Sequence, residues 1–331
     1  MGDNTRPLAV SVMPLENRRE TILHIATRAD SLGYEAFVLP ETWSHDVMVL
    51  LAEVATRTRQ IRLGSGVLGV WGRSTATIAM AASTLHAAAD GRFILGLGAS
   101  TPQLAEGLHD VAFSAPVRQT RRVITQVRAL LRGDRIPLSA TTGARPLRVN
   151  LPPTPTLPIY LAGLAAETIR LAGELADGWI RFLFPRDRLA EGVTLLKEGS
   201  AKASDPGRLP QVCPCIPAVV TANAAEARDG AAWFVAFYLT SMGTLYQKNI
   251  ARQGLVKEVE ATVAANPGRD SAVVPPEAES LLEQLTVFGT PEQARERLAH
   301  WYEAGAWLPI LLLRPNLSRE QTDFTLNAFR P

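Results

Sequence analysis

Three short segments hold most of the side chains in this sequence that could do chemistry. The first is Pro40-Glu41-Thr42-Trp43-Ser44-His45-Asp46, and the second is Gly66-Val67-Leu68-Gly69-Val70-Trp71-Gly72-Arg73-Ser74. The third, Gly98-Ala99-Ser100-Thr101-Pro102-Gln103, leads on to Glu106 and His109. Together they offer a carboxylate just after an apolar run, two tryptophans, and glycines that let a ligand approach the backbone. That set suits a flat aromatic cofactor better than a sugar or a metal ion. Glu106 and His109 stand three apart and would share a face if the chain is helical there, which allows a proton relay; both also fit plain surface positions. His45 reads either as a proton shuttle or substrate contact, or as an exposed residue just ahead of a helix.

Other chemistries drop out. His24, His45, His86, His109 and His300 show no HxH or HxxxH spacing, so no metal site is expected. There is no GxSxG elbow, and Cys213 and Cys215 flank Pro214 as two residues on one side of a strand, the pattern of small core side chains rather than activated nucleophiles. Gly64-Ser65-Gly66-Val67-Leu68-Gly69 fits GxGxxG, but a dinucleotide fingerprint turns sharply from strand into helix. Here the strand pattern runs through the first two glycines and the next helix waits until about Thr75. From Ile159 to Thr168 the chain passes from strand to helix through Ala162-Gly163-Leu164-Ala165. Free N–H groups at such a helix start can meet a phosphate; the same small residues would equally permit tight strand–helix packing.

The elements that must position these segments alternate regularly. Leu8–Met13 is an apolar run, Glu16–Leu32 has helical spacing closed by Gly33, and Ala36–Leu39, Asp46–Thr58 and Ile61–Val67 continue as strand, helix and strand. Helix Thr75–Ala89 and strand Phe93–Gly98 follow, so strands begin at 8, 36, 61 and 93, a period typical of parallel strands with crossover helices. Further strands are expected at Pro158–Leu161, Gly178–Phe182, Gln211–Val220 and Leu308–Leu313, with helical patterns at Ala165–Leu175 and Asp187–Lys197. The last unit is marked by Thr290 as N-cap, Pro291 at the first helical position and Gln293 completing a capping box. Eight alternating units predict one (β/α)8 barrel, a TIM barrel of the α/β class spanning 1–331. Residues 243–286 are expected as a helical insertion after strand seven. In such a barrel the three chemical segments meet at the C-terminal ends of the strands. The aromatic run Trp233-Phe234-Phe237-Tyr238 reads as core-facing helix, or else as a dimer face.

Composition narrows the class. The 331 residues are 47% hydrophobic and 20% charged, with a net charge of +2, so a disordered chain and a nucleic-acid-binding surface are both excluded. Two charge-free stretches, 149–166 and 230–247, carry prolines or polar residues and read as buried structure rather than membrane spans. No disulfide framework or export signal is visible, and a cytoplasmic location is expected.

Gly33-Tyr34, Pro40-Glu41-Thr42-Trp43, Ile61-Arg62-Leu63-Gly64-Ser65-Gly66-Val67, Trp71-Gly72-Arg73-Ser74, Gly91-Arg92-Phe93-Ile94-Leu95-Gly96-Leu97-Gly98 and Ala176-Asp177-Gly178-Trp179 resemble the luciferase-like monooxygenase superfamily, and within it the branch that uses the deazaflavin coenzyme F420. The resemblance runs to Leu311-Leu312-Leu313-Arg314-Pro315. It implies a homodimer acting on a small-molecule substrate, with no membrane or nucleic-acid partner and no metal. It implies that F420, or alternatively FMN, lies over the strand ends on a bulge with a non-prolyl cis peptide at Gly66-Val67. By the same resemblance Gly66, Val67 and Leu68 lie under the ring, Gly98, Ala99 and Ser100 at its polar edge, and Ala162 to Ala165 at the phosphate. Arg181, Arg186 and Arg188 are cationic neighbours for an anionic tail.

Family members that place an Asp-His pair after strand two have Glu41-Thr42 here as the counterpart, so Glu41 would orient the cofactor while Trp43 covers the reacting face. Others carry a Glu after strand four, where this chain has Thr101, leaving Glu106 or His109 as the nearest substitutes. Glu41, Trp43, His45, Glu106 and His109 are thus the catalytic candidates, and Met13, Trp71 and Arg73 the substrate contacts. The implied activity is hydride transfer between C5 of the deazaflavin and a small organic molecule. The alternatives are a reduced-FMN monooxygenase of the same fold and a cofactor-binding protein with little or no turnover.

Overall fold

The short apolar runs become the staves of a parallel barrel. In the computed structural model, which describes residues 6–136, 143–268 and 272–331, the staves are β1 (Ala9–Val12), β2 (Ala36–Leu39), β3 (Arg62–Ser65), β4 (Phe93–Gly98), β5 (Ile159–Ala162), β6 (Gly178–Phe182), β7 (Gln211–Val220) and β8 (Ile310–Leu313). Each pairs in parallel with the next, and β8 pairs with both β7, through Ile310 and Cys215, and β1, through Ile310 and Ala9. The sheet therefore closes, and the fold is a (β/α)8 barrel. Two short strands add to the rim: Leu68–Gly69 beside β4 and Val287–Gly289 beside β7.

Alternation along each stave divides the core in two. Ala9, Ala36, Val38, Ile94, Tyr160, Ile180, Cys213 and Ile310 fill the barrel axis. Their neighbours, such as Val10, Phe37, Leu63, Phe93, Leu161 and Trp179, face outward into a continuous apolar layer under the helices. Those helices are α1 (Arg19–Leu32), α2 (Val47–Arg57), α3 (Thr75–Ala88), α4 (Pro102–Gly107), α5 (Pro116–Leu131), α6 (Ala166–Leu175), α7 (Leu189–Ser200), α8 (Ala224–Ser241), α9 (Thr244–Arg252), α10 (Val256–Ala264), α11 (Ser280–Leu285), α12 (Pro291–Glu303) and α13 (Arg319–Ala328).

Local chemistry sets their ends. Gly33 at φ +88° closes α1, Asp46 caps α2 by accepting from the N–H groups of Met48 and Val49, and Thr290 with Gln293 forms the expected capping box on α12. Helix α5 is absent from the sequence expectation, although Thr120, Val123, Ile124, Val127, Leu130 and Leu131 make one buried stripe at helical spacing. Residues 243–286 contribute α9, α10 and α11, which we propose as an insertion within a single barrel unit. They pack with α8 on Met13, Val219, Phe288 and Leu312 in a second apolar cluster over one side of the barrel mouth. The α8 aromatic run belongs to it: Phe234 stacks on Tyr238, and Trp233 on Phe237. No helix among the described residues is long and apolar enough to cross a membrane.

Asp177, the acid of the Ala-Asp-Gly-Trp segment, ties three elements together. Its Oδ2 accepts from the Ile159 N–H at the start of β5 and from Arg128 of α5, both at 2.7 Å, and Oδ1 meets Arg208. Burial pushes this carboxyl up, but Arg128 and the Ile159 N–H outweigh it and hold it below the usual carboxylate range. A depressed carboxyl contributes stability that is present above its unfolded pKa of about 4 and is lost as pH falls through the folded value. Asp177→Asn should therefore cost on the order of 2–3 kcal/mol at pH 7. Thermal melts of both proteins should show the gap widest at neutral pH and closing below about pH 4; a constant gap would disprove the ionic contribution.

Candidate active site

The three chemical segments converge at the C-terminal rim over β2, β3 and β4. Past Ser65 the chain leaves β3 in a bulge: the Gly66 N–H donates to Leu39 O at 2.8 Å, the Glu41 N–H donates to Val67 O at 3.3 Å, and the Gly66–Val67 peptide is cis. Ser65 stitches β3 to β4, its hydroxyl accepting from the Gly96 N–H and donating to Gly96 O, both at 2.9 Å. Glycine is required by close approach: a Cβ on Gly66 would lie 2.2 Å from Val38 Cγ1, and one on Gly98 2.6 Å from Val67 Cγ2. Leu68 turns its side chain into the core and leaves only backbone at the rim. Beyond Gly98, Ser100 adopts φ +57°, an uncommon conformation for a residue with a Cβ.

Glu41, Thr42, Trp71, Gly72, Ser100 and His109 line one small cavity in this rim. Trp71 is fixed as a wall, its indole N–H donating to Ala99 O at 2.7 Å and its ring 5.2 Å from Phe113. The His109 ring lies against Gly72, where an added Cβ would come within 2.8 Å of Cε1, and its nitrogens have no hydrogen-bond partner among the described residues. Glu106 does not join it in the cavity: α4 ends at Gly107, and Glu106 Oε1 instead accepts from the Phe113 N–H at 3.0 Å, pinning the loop.

Glu41 is not a free carboxylate either. Arg73 spans two acids, Nη1 donating to Glu41 Oε2 and Nη2 to Asp46 Oδ2, each at 2.6 Å, and the Glu41 side chain is only 10% exposed. Donating to Glu41 raises the Arg73 guanidinium above its ordinary value. Asp46, already the cap of α2, therefore locks the rim charge to a helix start. The doubly engaged Asp46 escapes sequence reasoning, because nothing local links it to a residue 27 positions away. Trp43 stands half-exposed and is not among the residues that line the cavity. His45 Nε2 faces Asn17 O at 3.0 Å; a carbonyl can only accept, so that nitrogen carries the proton and joins two loops. Met13 is buried in the apolar cluster under α8 and offers no surface to the cavity.

One strand further on, Ala162 to Ala165 lead into α6, which has no side-chain cap. The N–H groups of Leu164, Ala165, Ala166, Glu167 and Thr168 have no acceptor among the described residues; the first used is that of Ile169, which donates to Ala165 O. Such a row of free N–H groups at a helix start is a ready seat for an anion. Behind it lies Arg181, buried, with its guanidinium 3.6 Å from the Phe184 ring centroid and bonded to Gly163 O. Burial pulls this guanidinium down to about 9. Arg186 and Arg188 turn instead to Asp187 and Glu191.

Among the described residues no group of three or more His, Cys, Asp or Glu could hold a metal ion. Cys213 and Cys215 both face the barrel axis, and burial pushes their thiols up, that of Cys215 to about 12.

One rim of a closed parallel barrel thus joins a glycine-lined bulge after the third stave to an uncapped helix start after the fifth. The chain belongs to the luciferase-like monooxygenase family, whose model matches residues 6–307. It is 28% identical over 328 residues to a Mycobacterium tuberculosis protein named as a candidate coenzyme F420-dependent oxidoreductase, covering 90% of this chain and 91% of that one. In fold it is similar to an F420-dependent secondary alcohol dehydrogenase in complex with an F420–acetone adduct (TM-score 0.77, 18% identity, 99% and 100% covered). It is similar likewise to an FMN-bound type II Baeyer–Villiger monooxygenase component from Pseudomonas putida (TM-score 0.70, 16% identity, 98% and 96% covered).

Two measurements test this geometry. A double-mutant cycle of Arg73→Met and Glu41→Gln, read by urea melts, should give a coupling of about 1–3 kcal/mol; additive effects would mean the contact does not form. Cys213 and Cys215 should stay unmodified by a thiol reagent at pH 8 in the native protein and react rapidly in denaturant.

Proposed function

We propose that this chain is an F420-dependent oxidoreductase passing a hydride between C5 of the deazaflavin and a small organic substrate. The observation that carries the reading is the pairing of two seats on one rim. Backbone at Gly66–Leu68 and Gly98–Ser100 offers a flat, side-chain-poor bed, and the free N–H groups from Leu164 onward offer an anion seat. Strands β3 and β5 are two steps apart, about 10 Å at ~4.8 Å per strand. A ring and its phosphate on a short linker fit that span. The choice of deazaflavin is supported by the relationship to the mycobacterial protein of that name over nine-tenths of the chain.

F420 would supply a two-electron carrier that exchanges hydride, with the accompanying proton moved by the protein or water. The chain's own residues orient and enclose. Glu41, held by Arg73, presents a fixed carboxylate edge to the cavity, Trp71 forms its wall, and half-exposed Trp43, two residues beyond Glu41, would cover a ring bound there. His109 is the proton-handling residue of the Glu106–His109 pair, because it lines the cavity with neither ring nitrogen bonded among the described residues while Glu106 is spent on its loop. His45 acts by holding the loop that carries Glu41 and Trp43. The reading takes the protein as a homodimer in the cytoplasm, the first of which light scattering measures directly.

Fluorescence titration of purified protein should show saturable micromolar or tighter binding of F420 and weaker binding of FMN. A preference for FMN, with oxygen consumption in its reduced form, would replace this reading with a monooxygenase. Binding of F420 without turnover across alcohols, imines and enones would leave a carrier protein. Once a substrate is found, His109→Gln should lower turnover by about 10²-fold while leaving cofactor affinity nearly unchanged.

A further inference from the structure

We infer that Arg181 strengthens the anion seat at the start of α6 from behind, acting through the Gly163–Leu164 peptide, and so sets the affinity for a phosphate group bound there. The inference rests on the proposed cofactor reading only for the identity of that phosphate. Register places the residue: Ala162 of β5 pairs with Ile180 of β6, so Arg181 stands level with Gly163, just past the end of β5. Ile180 faces the barrel axis, and alternation turns Trp179 and Arg181 outward, behind the loop that enters α6.

The guanidinium is 1% exposed and has no carboxylate partner among the described residues. Its Nη1 donates to Gly163 O, while Nε and Nη2 have no hydrogen-bond partner among the described residues. Two arginines near the barrel ends are paired instead: Arg73 bridges Glu41 and Asp46, and Arg128 pairs with Asp177. A buried cation without a counter-charge is costly even over the faces of Phe184 and Trp179, and an anion close by offsets that cost.

The route runs through one peptide unit. Gly163 O accepts from both Arg181 and the Trp179 indole N–H, the latter at 3.1 Å. In a trans peptide C=O and N–H point in opposite directions, so a carbonyl aimed at β6 aims the Leu164 N–H away from it, on the side of the free helix start. Two donors on the carbonyl, one of them charged, polarise the amide and make the Leu164 N–H a stronger donor. That N–H is the first of the five without an acceptor. Gly163 is sterically committed to this arrangement, since a Cβ there would fall 2.9 Å from Thr168 Oγ1. Arg181 is thus a positioning residue that acts through a backbone amide.

The test compares FMN with riboflavin, which differ only by the phosphate, with inorganic phosphate as a second probe read by thermal shift. Arg181→Met removes a charge that has no partner, so the variant should fold with an unchanged or higher melting temperature. Its preference for the phosphorylated ligand should fall at least 10-fold, its affinity for the phosphate-free ligand should be unchanged, and the phosphate-induced stabilisation should vanish. Arg181→Gln, which keeps a donor for Gly163 O without the charge, should show the same loss and carries the test should Arg181→Met not fold; Arg181→Lys should restore most of the preference. An undiminished preference in the folded neutral variants would overturn the inference, as would a wild type that shows neither phosphate preference nor phosphate stabilisation. A wild type that binds no flavin or deazaflavin, yet gains phosphate stabilisation that Arg181→Met abolishes, would sink the cofactor reading and leave this one standing.

Discussion

Closure of the sheet is the constraint on which the rest depends. Because β8 pairs with β7 on one side and β1 on the other, the backbone hydrogen bonds of the staves are satisfied within a ring and there is no edge to slip. Parallel direction then delivers every strand end, and every loop that follows, to the same rim. Residues as distant in sequence as Glu41, Arg73, His109 and Arg181 become neighbours of one mouth without any local signal demanding it. The axis beneath is filled by Ile94, Tyr160, Ile180 and Cys213, so a ligand can lie on the barrel but cannot enter it.

Two different economies operate on that rim. Over β3 and β4 the protein withholds side chains: Gly66 and Gly98 are needed because Val38 and Val67 occupy the space a Cβ would take, and Leu68 buries its own. Around this bare bed charge is tightly paired, with Arg73 shared by Glu41 and Asp46. Over β5 and β6 the pattern inverts. There the first N–H groups of α6 and the Nε and Nη2 groups of Arg181 have no acceptor among the described residues, an imbalance that a bound anion would relieve. Such polarity across one mouth suits a cofactor with a flat, largely neutral ring and a charged end.

Much of this was legible in the residues. The alternation of apolar tetrads with helical stretches, the glycine that ends α1 and the Thr290–Gln293 capping box are local physics, and the structure follows them closely. The resemblance of the loop motifs to a known family anticipated the cis peptide at Gly66–Val67. Helix α5 was missed although its buried stripe repeats at helical spacing, because its polar positions are filled with arginines that read as loop. The roles of Glu106 and His109 could not be separated by spacing. Three residues of helix set them side by side, yet α4 stops between them, sending one carboxylate to the Phe113 N–H and the imidazole to Gly72.

The sequence by itself determined the order of the eight strands, the barrel class, the three loops that carry the site and the small residues at the start of α6. All of these follow from periodicity, steric need and capping within a few residues of chain. Only the tertiary structure decided which charges are spent and which are free: that Glu41 and Asp46 share Arg73, that Met13 is covered by the helices of 243–286, and that Arg181 is buried behind Gly163. The reason is physical. Hydrogen bonding and desolvation depend on neighbours brought together by barrel closure, and sequence separation holds no record of them.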